Sequence, residues 1–285
     1  MRKKLSLLLV LLIVSLVSFG CGKSNISSSE NTSTASDTSQ QDSEKSSEKA
    51  NQDKSQQDKN KKEGEIKEEE KQENKNQQYI ICIDPGHQTK GDMSEEPVGP
   101  GSSETKFKVS WGTQGVSTNI PEYELNLQAS KILKKYLEDM GFKVIMTRET
   151  NDVNITNSER AIFANENNAN LVIRIHADGS DDSSVTGASL HIPASNGKYT
   201  SKIYKESNKC AQIMFSDMKE AGFKVNNIYE RSDLTGFNWS EVPAVLVEMG
   251  FMSNPEEDEK MAQKSYQEKM MKAIAEATQT YFDGK

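Results

Sequence analysis

The stretch Tyr79-Ile80-Ile81-Cys82-Ile83-Asp84-Pro85-Gly86-His87 decides the fold. Its first five residues are an Ile-rich apolar run too short for a helix, which predicts a buried strand, and Asp84-Pro85-Gly86 turns the chain directly after it. Over residues 122–140 the apolar side chains Leu125, Ala129, Ile132, Leu133, Tyr136, Leu137 and Met140 recur at three and four. Pro121 precedes them and Gly141 follows, the start and stop signals of an amphipathic helix. A strand at 142–147, a helix at 158–168 and a strand at 171–175 continue the alternation, which predicts an open α/β fold with a largely parallel sheet. Further elements are expected at 187–192 (strand), 201–221 (helix), 244–247 (strand) and 257–282 (closing helix). Residues 88–121, rich in Gly, Ser and Pro, read as a long loop between the first strand and the first helix, and a loop of that length usually carries function.

Toward the N-terminus the character changes. The chain has 285 residues, of which 34% are hydrophobic and 27% charged, but the polarity is concentrated in residues 22–77. That tract holds only Ile26, Ala35, Ala50 and Ile66 as aliphatic residues and no aromatic one, so it cannot bury enough surface to offset its ordering entropy and reads as a disordered linker. Before it, Arg2-Lys3-Lys4 and a short apolar run ending at Phe19-Gly20-Cys21 read as an export signal, below the ~20 residues a spanning helix needs. The small residue before Cys21 resembles a bacterial lipoprotein processing site, with Ser18 where that pattern usually carries Leu. The expected organisation is therefore a signal peptide over 1–21 with Cys21 lipidated, a linker over 22–77 and one catalytic domain over 78–285. The net charge of −8 argues against a nucleic-acid partner, since phosphate contacts need a basic surface. Cys82 and Cys210, the cysteines left in the domain, read as core residues without a disulfide.

Three histidines lie in the domain: His87, His176 and His191. His87 follows the first strand and His176 ends the strand at 171–175. Sites in open α/β sheets form beyond the carboxyl ends of strands, so these two imidazoles are placed to converge. In Pro243-Ala244-Val245-Leu246-Val247-Glu248-Met249-Gly250-Phe251 a single carboxylate interrupts an apolar run, and a buried carboxylate must be paired, protonated or linked to a metal. Glu122 and Glu124 open the first helix, where the helix dipole is their bland explanation. Two His and one carboxylate make a zinc sphere with a position open for water, and a further Glu serves as proton shuttle. The short helical His-Glu-x-x-His spacing is absent.

Taken together, Asp84-Pro85-Gly86-His87, Glu122-Tyr123-Glu124-Leu125-Asn126-Leu127, Ser158-Glu159-Arg160 with Ala164-Asn165, Ile175-His176-Ala177 and the stretch 243–254 resemble, in order, the signature blocks of the family-3, zinc-dependent N-acetylmuramoyl-L-alanine amidases. The resemblance implies a mixed sheet of about six strands flanked by helices, and one Zn2+ held by His87, Glu122 and His176. The resemblance favours Glu122 over Glu124, because the family's ligand stands four places before the Asn that Asn126 matches. Glu248 matches the catalytic carboxylate, and His191 matches no ligand and reads as structural or surface. The implied reaction is hydrolysis of the amide between muramic acid and L-alanine in peptidoglycan, by a monomer anchored through lipid on Cys21 to the outer face of the cytoplasmic membrane. The loop 88–121, longer than in the shortest members, is expected to lie beside the metal and to touch substrate without supporting the ligands. A zinc peptidase cutting within the stem peptide, a glycosidase with paired carboxylates and a non-catalytic wall-binding lipoprotein are the rival readings.

Overall fold

The apolar run that opens the domain becomes β1 (Ile80–Pro85) at the heart of a six-stranded sheet in a computed structural model that describes residue 71 and residues 75–285. Along the chain follow β2 (Asp92–Pro97), β3 (Thr105–Val109), α1 (Glu122–Asp139), β4 (Lys143–Met146), α2 (Asn157–Glu166), β5 (Leu171–Asp178) and β6 (Ala188–Pro193). Then come α3 (Ser201–Glu220), β7 (Val225–Arg231), α4 (Thr235–Asn238), β8 (Ala244–Phe251), α5 (Pro255–Met261) and α6 (Lys264–Asp283). The sheet runs in the order β4-β1-β5-β8-β6-β7. Its first four strands are mutually parallel, β6 is antiparallel to β8, and β7 is parallel to β6. The sheet is thus open, mixed and mostly parallel, as expected.

Side chains alternate across each strand, so the two faces differ. One packs Ile81, Ile83, Leu171, Ile173, Ile175, Val245 and Val247 beneath α1, α3 and α6, with Leu125, Leu133, Met214, Ile274 and Tyr281 closing the main core. The other holds a smaller apolar cluster around Cys82, Val172, Phe237 and Leu246 under α2 and α4. Beyond that cluster the same face turns polar. Register places His176 beside Glu248 and Ser189 opposite Glu248, so polar side chains of three adjacent strands share one surface.

Three expectations change. The stretch 88–121 is not all loop, because β2 and β3 pair antiparallel as a separate two-stranded ribbon. The strand β7 went unread because Val-Asn-Asn-Ile-Tyr-Glu-Arg is mostly polar, as an edge strand exposed on most of its length can be. The closing helix divides at Ala262 and Gln263: Asn254 caps α5 by accepting from the Glu257 amide with Pro255 in the first turn, and α6 then starts afresh. Cys82 and Cys210 are both buried and unpaired. No helix among the described residues is long and apolar enough to cross a membrane. The readings of a signal peptide, of Cys21 and of most of the linker fall outside the described residues.

Asp84 ends β1 fully buried between two guanidinium groups. Its Oδ1 accepts from Arg160 Nη1 of α2 at 2.8 Å and from Thr147 Oγ1 at 2.6 Å, and its Oδ2 accepts from Arg174 Nε of β5 at 2.8 Å. Burial alone would raise this carboxyl, but the charges of Arg160 and Arg174 outweigh it and hold it well below the usual carboxylate range. A depressed folded-state pKa gives stability that is present above the unfolded value of about 3.9 and lost as pH falls through the folded one, so the ion pairs are intact at neutral pH. Asp84→Asn leaves two buried cations facing a neutral amide. Breaking a buried pair in this way costs about 3–5 kcal/mol, so the urea midpoint should fall by a corresponding amount with little change in slope. A midpoint within error of the parent would show that the carboxylate does not carry this load.

Candidate metal centre

Each member of the site is delivered by a different element. His87 sits just past β1, Glu122 begins α1, His176 lies near the end of β5, and Glu248 lies in β8. His87 Nε2 is 3.2 Å and His176 Nδ1 3.3 Å from Glu122 Oε1, and the two rings stand edge to face with centroids 4.9 Å apart. One ligand atom from each of the three residues lies within 4.8 Å of the others. Glu124, two residues further along α1, is exposed, and its side chain accepts from Gln128 Nε2 outside this cluster.

The protein fixes the chemical state of these groups. His87 Nδ1 lies 2.9 Å from the Ser110 carbonyl and 3.1 Å from its hydroxyl, contacts that orient the ring with Nε2 toward the cluster. Burial pushes His176 down to about 4, which keeps this imidazole neutral at physiological pH and able to donate electrons to a cation. Burial would raise Glu122 too, but hydrogen bonds to His176 and His87 win and hold it ionised. Glu122 Oε1 also accepts from Asn126 Nδ2 at 3.0 Å, one helical turn on, and from the Ala177 amide at 3.2 Å, while Oε2 accepts from the Thr113 amide at 2.9 Å.

Glu248 behaves differently. Its Oε2 is buried with no hydrogen-bond partner among the described residues, and burial, reinforced by the charges of Glu122 and Asp178, raises its pKa well above the ordinary value. The ion pair weighed as its bland explanation does not form among the described residues. A carboxyl beside an open cavity of about 520 Å³ that it shares with His87, Glu122 and His176 is placed to exchange a proton with something bound there.

Two positions admit only glycine for steric reasons. A Cβ on Gly86 would collide with the His176 ring, and one on Gly112, at φ +84°, would run into Glu122 Oε2 and the His87 ring. His87 itself lies in the left-handed region at φ +60°, a strained conformation for a residue with a side chain. Arg160 Nη2 holds the His87 carbonyl at 3.0 Å. Arg148, buried without a carboxylate partner among the described residues, ties the neighbouring turn to α1 by donating to the carbonyls of Pro85, Gly86 and Tyr123 at 2.9, 2.9 and 2.7 Å.

The segment 110–113 therefore corrects the expectation that the long loop leaves the ligands to themselves. It contributes the Ser110 carbonyl that orients His87 and the Thr113 amide that orients Glu122. Sequence reasoning missed Ser110, Gly112 and Thr113 because backbone groups carry no residue-type signal. Trp111, within the same segment, is 53% exposed. His191 is buried rather than on the surface: its Nδ1 accepts from Arg231 Nη1 at 3.1 Å, its Nε2 lies 3.1 Å from Ser189 Oγ, and it lines a small cavity of about 230 Å³ with Glu248 and Arg231.

Comparison with known proteins bears on this geometry. The family model described as Amidase_3, N-acetylmuramoyl-L-alanine amidase, matches residues 81–280. The N-acetylmuramoyl-L-alanine amidase Rv3717 of Mycobacterium tuberculosis is 28% identical over 207 residues, covering 68% of this chain and 83% of its own. A solved N-acetylmuramoyl-L-alanine amidase from Clostridium difficile 630 superposes with a TM-score of 0.59 at 25% identity, covering 73% of this chain and 98% of the other. The amidase Ami1 of Mycobacterium smegmatis, at 24% identity and a TM-score of 0.66, shares the fold over 73% of this chain and 98% of its own.

Gly112→Ala should weaken divalent-cation binding about tenfold, because a left-handed backbone with a Cβ costs roughly 1–2 kcal/mol and the new methyl presses on two ligand side chains. Competition against a chromogenic chelator reads this directly. Unchanged affinity would show that the 110–113 segment does not shape the cluster.

Proposed function

The chain belongs to the Amidase_3 family of N-acetylmuramoyl-L-alanine amidases, and from that premise we propose that it hydrolyses the bond between muramic acid and L-alanine with one zinc ion held by His87, Glu122 and His176. The observation that carries the reading is the pairing of a closely spaced His-Glu-His set with a partnerless buried carboxylate on the neighbouring strand. The donor set fits the ion: two imidazoles and one ionised carboxylate, each oriented by a further hydrogen bond or packed ring, facing a cavity that leaves a position free. Bound there, zinc would supply a Lewis acid that polarises the amide carbonyl and acidifies water.

The remaining work falls to Glu248. Its carboxylate takes a proton from the attacking water as the oxygen bonds to the carbonyl carbon. It then returns that proton to the nitrogen as the carbon–nitrogen bond breaks, leaving a lactyl carboxylate on the sugar and a free amine on alanine. The raised pKa suits both halves of this transfer, because the group can hold the proton between the two events. The substrate is the wall itself, which lies outside the cytoplasmic membrane. We assign residues 1–21 to an export signal ending at a lipidated Cys21, residues 22–77 to a tether whose end already packs on the domain, where buried Asn76 donates to the Met140 carbonyl, and residues 78–285 to the catalytic domain, acting as a monomer on peptidoglycan. A coil of 56 residues would reach roughly 40 Å from the membrane, enough to meet a fixed network just outside it.

Mass analysis of products from purified peptidoglycan tests the bond. Free alanine amino termini with intact muramic lactyl acids are expected, and their formation should stop on chelation, whereas stem fragments cut internally would favour a peptidase. Glu248→Gln should retain zinc and lose at least about 100-fold in turnover, since the neutral amide cannot accept the water proton. Substantial activity in the metal-loaded variant would remove Glu248 from this role. Cys21→Ala should shift the protein out of the acylated membrane fraction while leaving hydrolysis by the domain intact. Acylation of the variant equal to that of the parent would show that another residue is the anchor.

A further inference from the structure

A second cavity among the described residues lies apart from the His-Glu-His cluster. It has a volume of about 630 Å³ and is enclosed by the tip of the β2–β3 ribbon, the loop after β6 and the chain after β7. Its walls are held in place: Trp239 Nε1 donates to the Pro97 carbonyl at 2.9 Å, Asn238 Nδ2 to the Val98 carbonyl at 2.9 Å, and Lys106 Nζ to the Asp233 carbonyl at 2.6 Å. Asn238 is 4% exposed, and although its amide nitrogen is used, its Oδ1 has no hydrogen-bond partner among the described residues. A buried acceptor left open in the wall of a preformed cavity is a place for a donor from outside.

The charge pattern says what kind of ligand fits. Glu104 and Lys198 face the cavity and form no ion pair among the described residues, and Lys106 and Asp233 add a second pair of opposite charges. The aromatic ring present, Tyr199, lies against the Gly99 backbone and under the Lys198 ammonium, which takes it out of use as a stacking platform for a sugar. Alternating cations and anions match a ligand that carries both an ammonium and carboxylates.

Position agrees with a substrate that enters from the metal cluster. Ser189 stands opposite Glu248, and Pro193, four residues further along β6, stands beside Arg231 of β7. Two strand spacings across and four residues along put the end of β7 about 16 Å from Glu248. An extended peptide advances about 3.5 Å per residue, and more across a γ-linked one, so the side chain of a third residue spans about that distance from the cleaved amide. Between the two lies the smaller cavity shared by Glu248, His191 and Arg231, and Arg231 grips Asp233 through Nε and Nη2 at 2.7 and 2.8 Å at the border of the larger one.

We infer that the cavity under the β2–β3 ribbon is the subsite for the third residue of the stem peptide, a diamino acid, read through its ammonium and carboxylate groups. The inference rests on the amidase reading above and adds to it the part of the substrate that sets affinity. The test uses the zinc-loaded full-length chain and two soluble substrates, muramyl-L-alanyl-D-isoglutamate and the same compound extended by a diamino acid. The double variant Glu104→Ala/Lys198→Ala changes exposed side chains only. It should raise KM for the extended substrate about fivefold or more, the scale of an exposed charge contact, while kcat and the KM for the shorter substrate stay at parent values. Equal change on both substrates, or none on either, would overturn the subsite. A loss that follows glycan length instead of the third residue would give the cavity to sugar and also overturn it. Failure of the parent to cleave either substrate would sink the zinc-amidase reading itself, a result distinct from the loss of discrimination that the variant probes.

Discussion

Everything at the site hangs on the burial of Asp84 between Arg160 and Arg174. One carboxylate at the end of β1 locks a helix from one face and the adjacent strand to the same point, and the chain that leaves this point carries His87. Taking three charges out of water is costly, and it is repaid only because the geometry is close and Thr147 supplies a further hydrogen bond. Arg160 also donates through Nη1 and Nη2 to the carbonyls of Pro85 and His87 and to Gln88 Oε1, so the same guanidinium that neutralises Asp84 also sets the turn into the site. The strained backbone of His87 persists because this network over-determines it.

The division of the sheet into an apolar and a polar face explains why chemistry is found on one side alone. Beneath α1, α3 and α6 the strands present apolar side chains, chiefly Ile, Leu and Val. On the opposite face α2 and the short α4 cover only the early part of the strands, leaving His176, Glu248 and His191 along a row that the helices do not close. Reversal of β6 places Ser189 beside Glu248 and sends the ends of β6 and β7 away from the metal cluster. The polar row therefore extends from the cluster diagonally toward the second cavity, and the β2–β3 ribbon runs along it as a wall.

The ribbon and the segment after it serve two purposes. At its tip it encloses the large cavity, and at its base Ser110 and Thr113 aim two of the cluster side chains. Glu96 of β2 bonds the Ser158 amide and hydroxyl at the start of α2, which fastens the ribbon to the same helix whose Arg160 reaches Asp84. A similar economy appears at α5, where buried Asp258 accepts from the Ser117 and Thr118 amides at 2.8 Å and pins the chain just before α1. Orientation of Glu122 thus depends on supports that arrive from distant parts of the chain.

What the sequence determined by itself was everything encoded in local pattern. The apolar runs of β1, β5 and β8 and the three-and-four spacing of α1 state burial directly, and a lone Glu248 in an apolar run or two His at strand ends declare themselves by residue type. Asn126 entered the sequence reading only through the family resemblance, and the structure adds that it donates to Glu122 Oε1 one helical turn away. Polar edge strands such as β7, the β2–β3 pairing within a Gly- and Ser-rich stretch, and the split between α5 and α6 were decided only in the tertiary structure. So were the backbone groups of Ser110 and Thr113, the open Oδ1 of Asn238 and the burial of His191. These depend on which distant segments meet, and a strand without a hydrophobic stripe, or a carbonyl that orients an imidazole, has no local signature until folding brings its partner within hydrogen-bond reach.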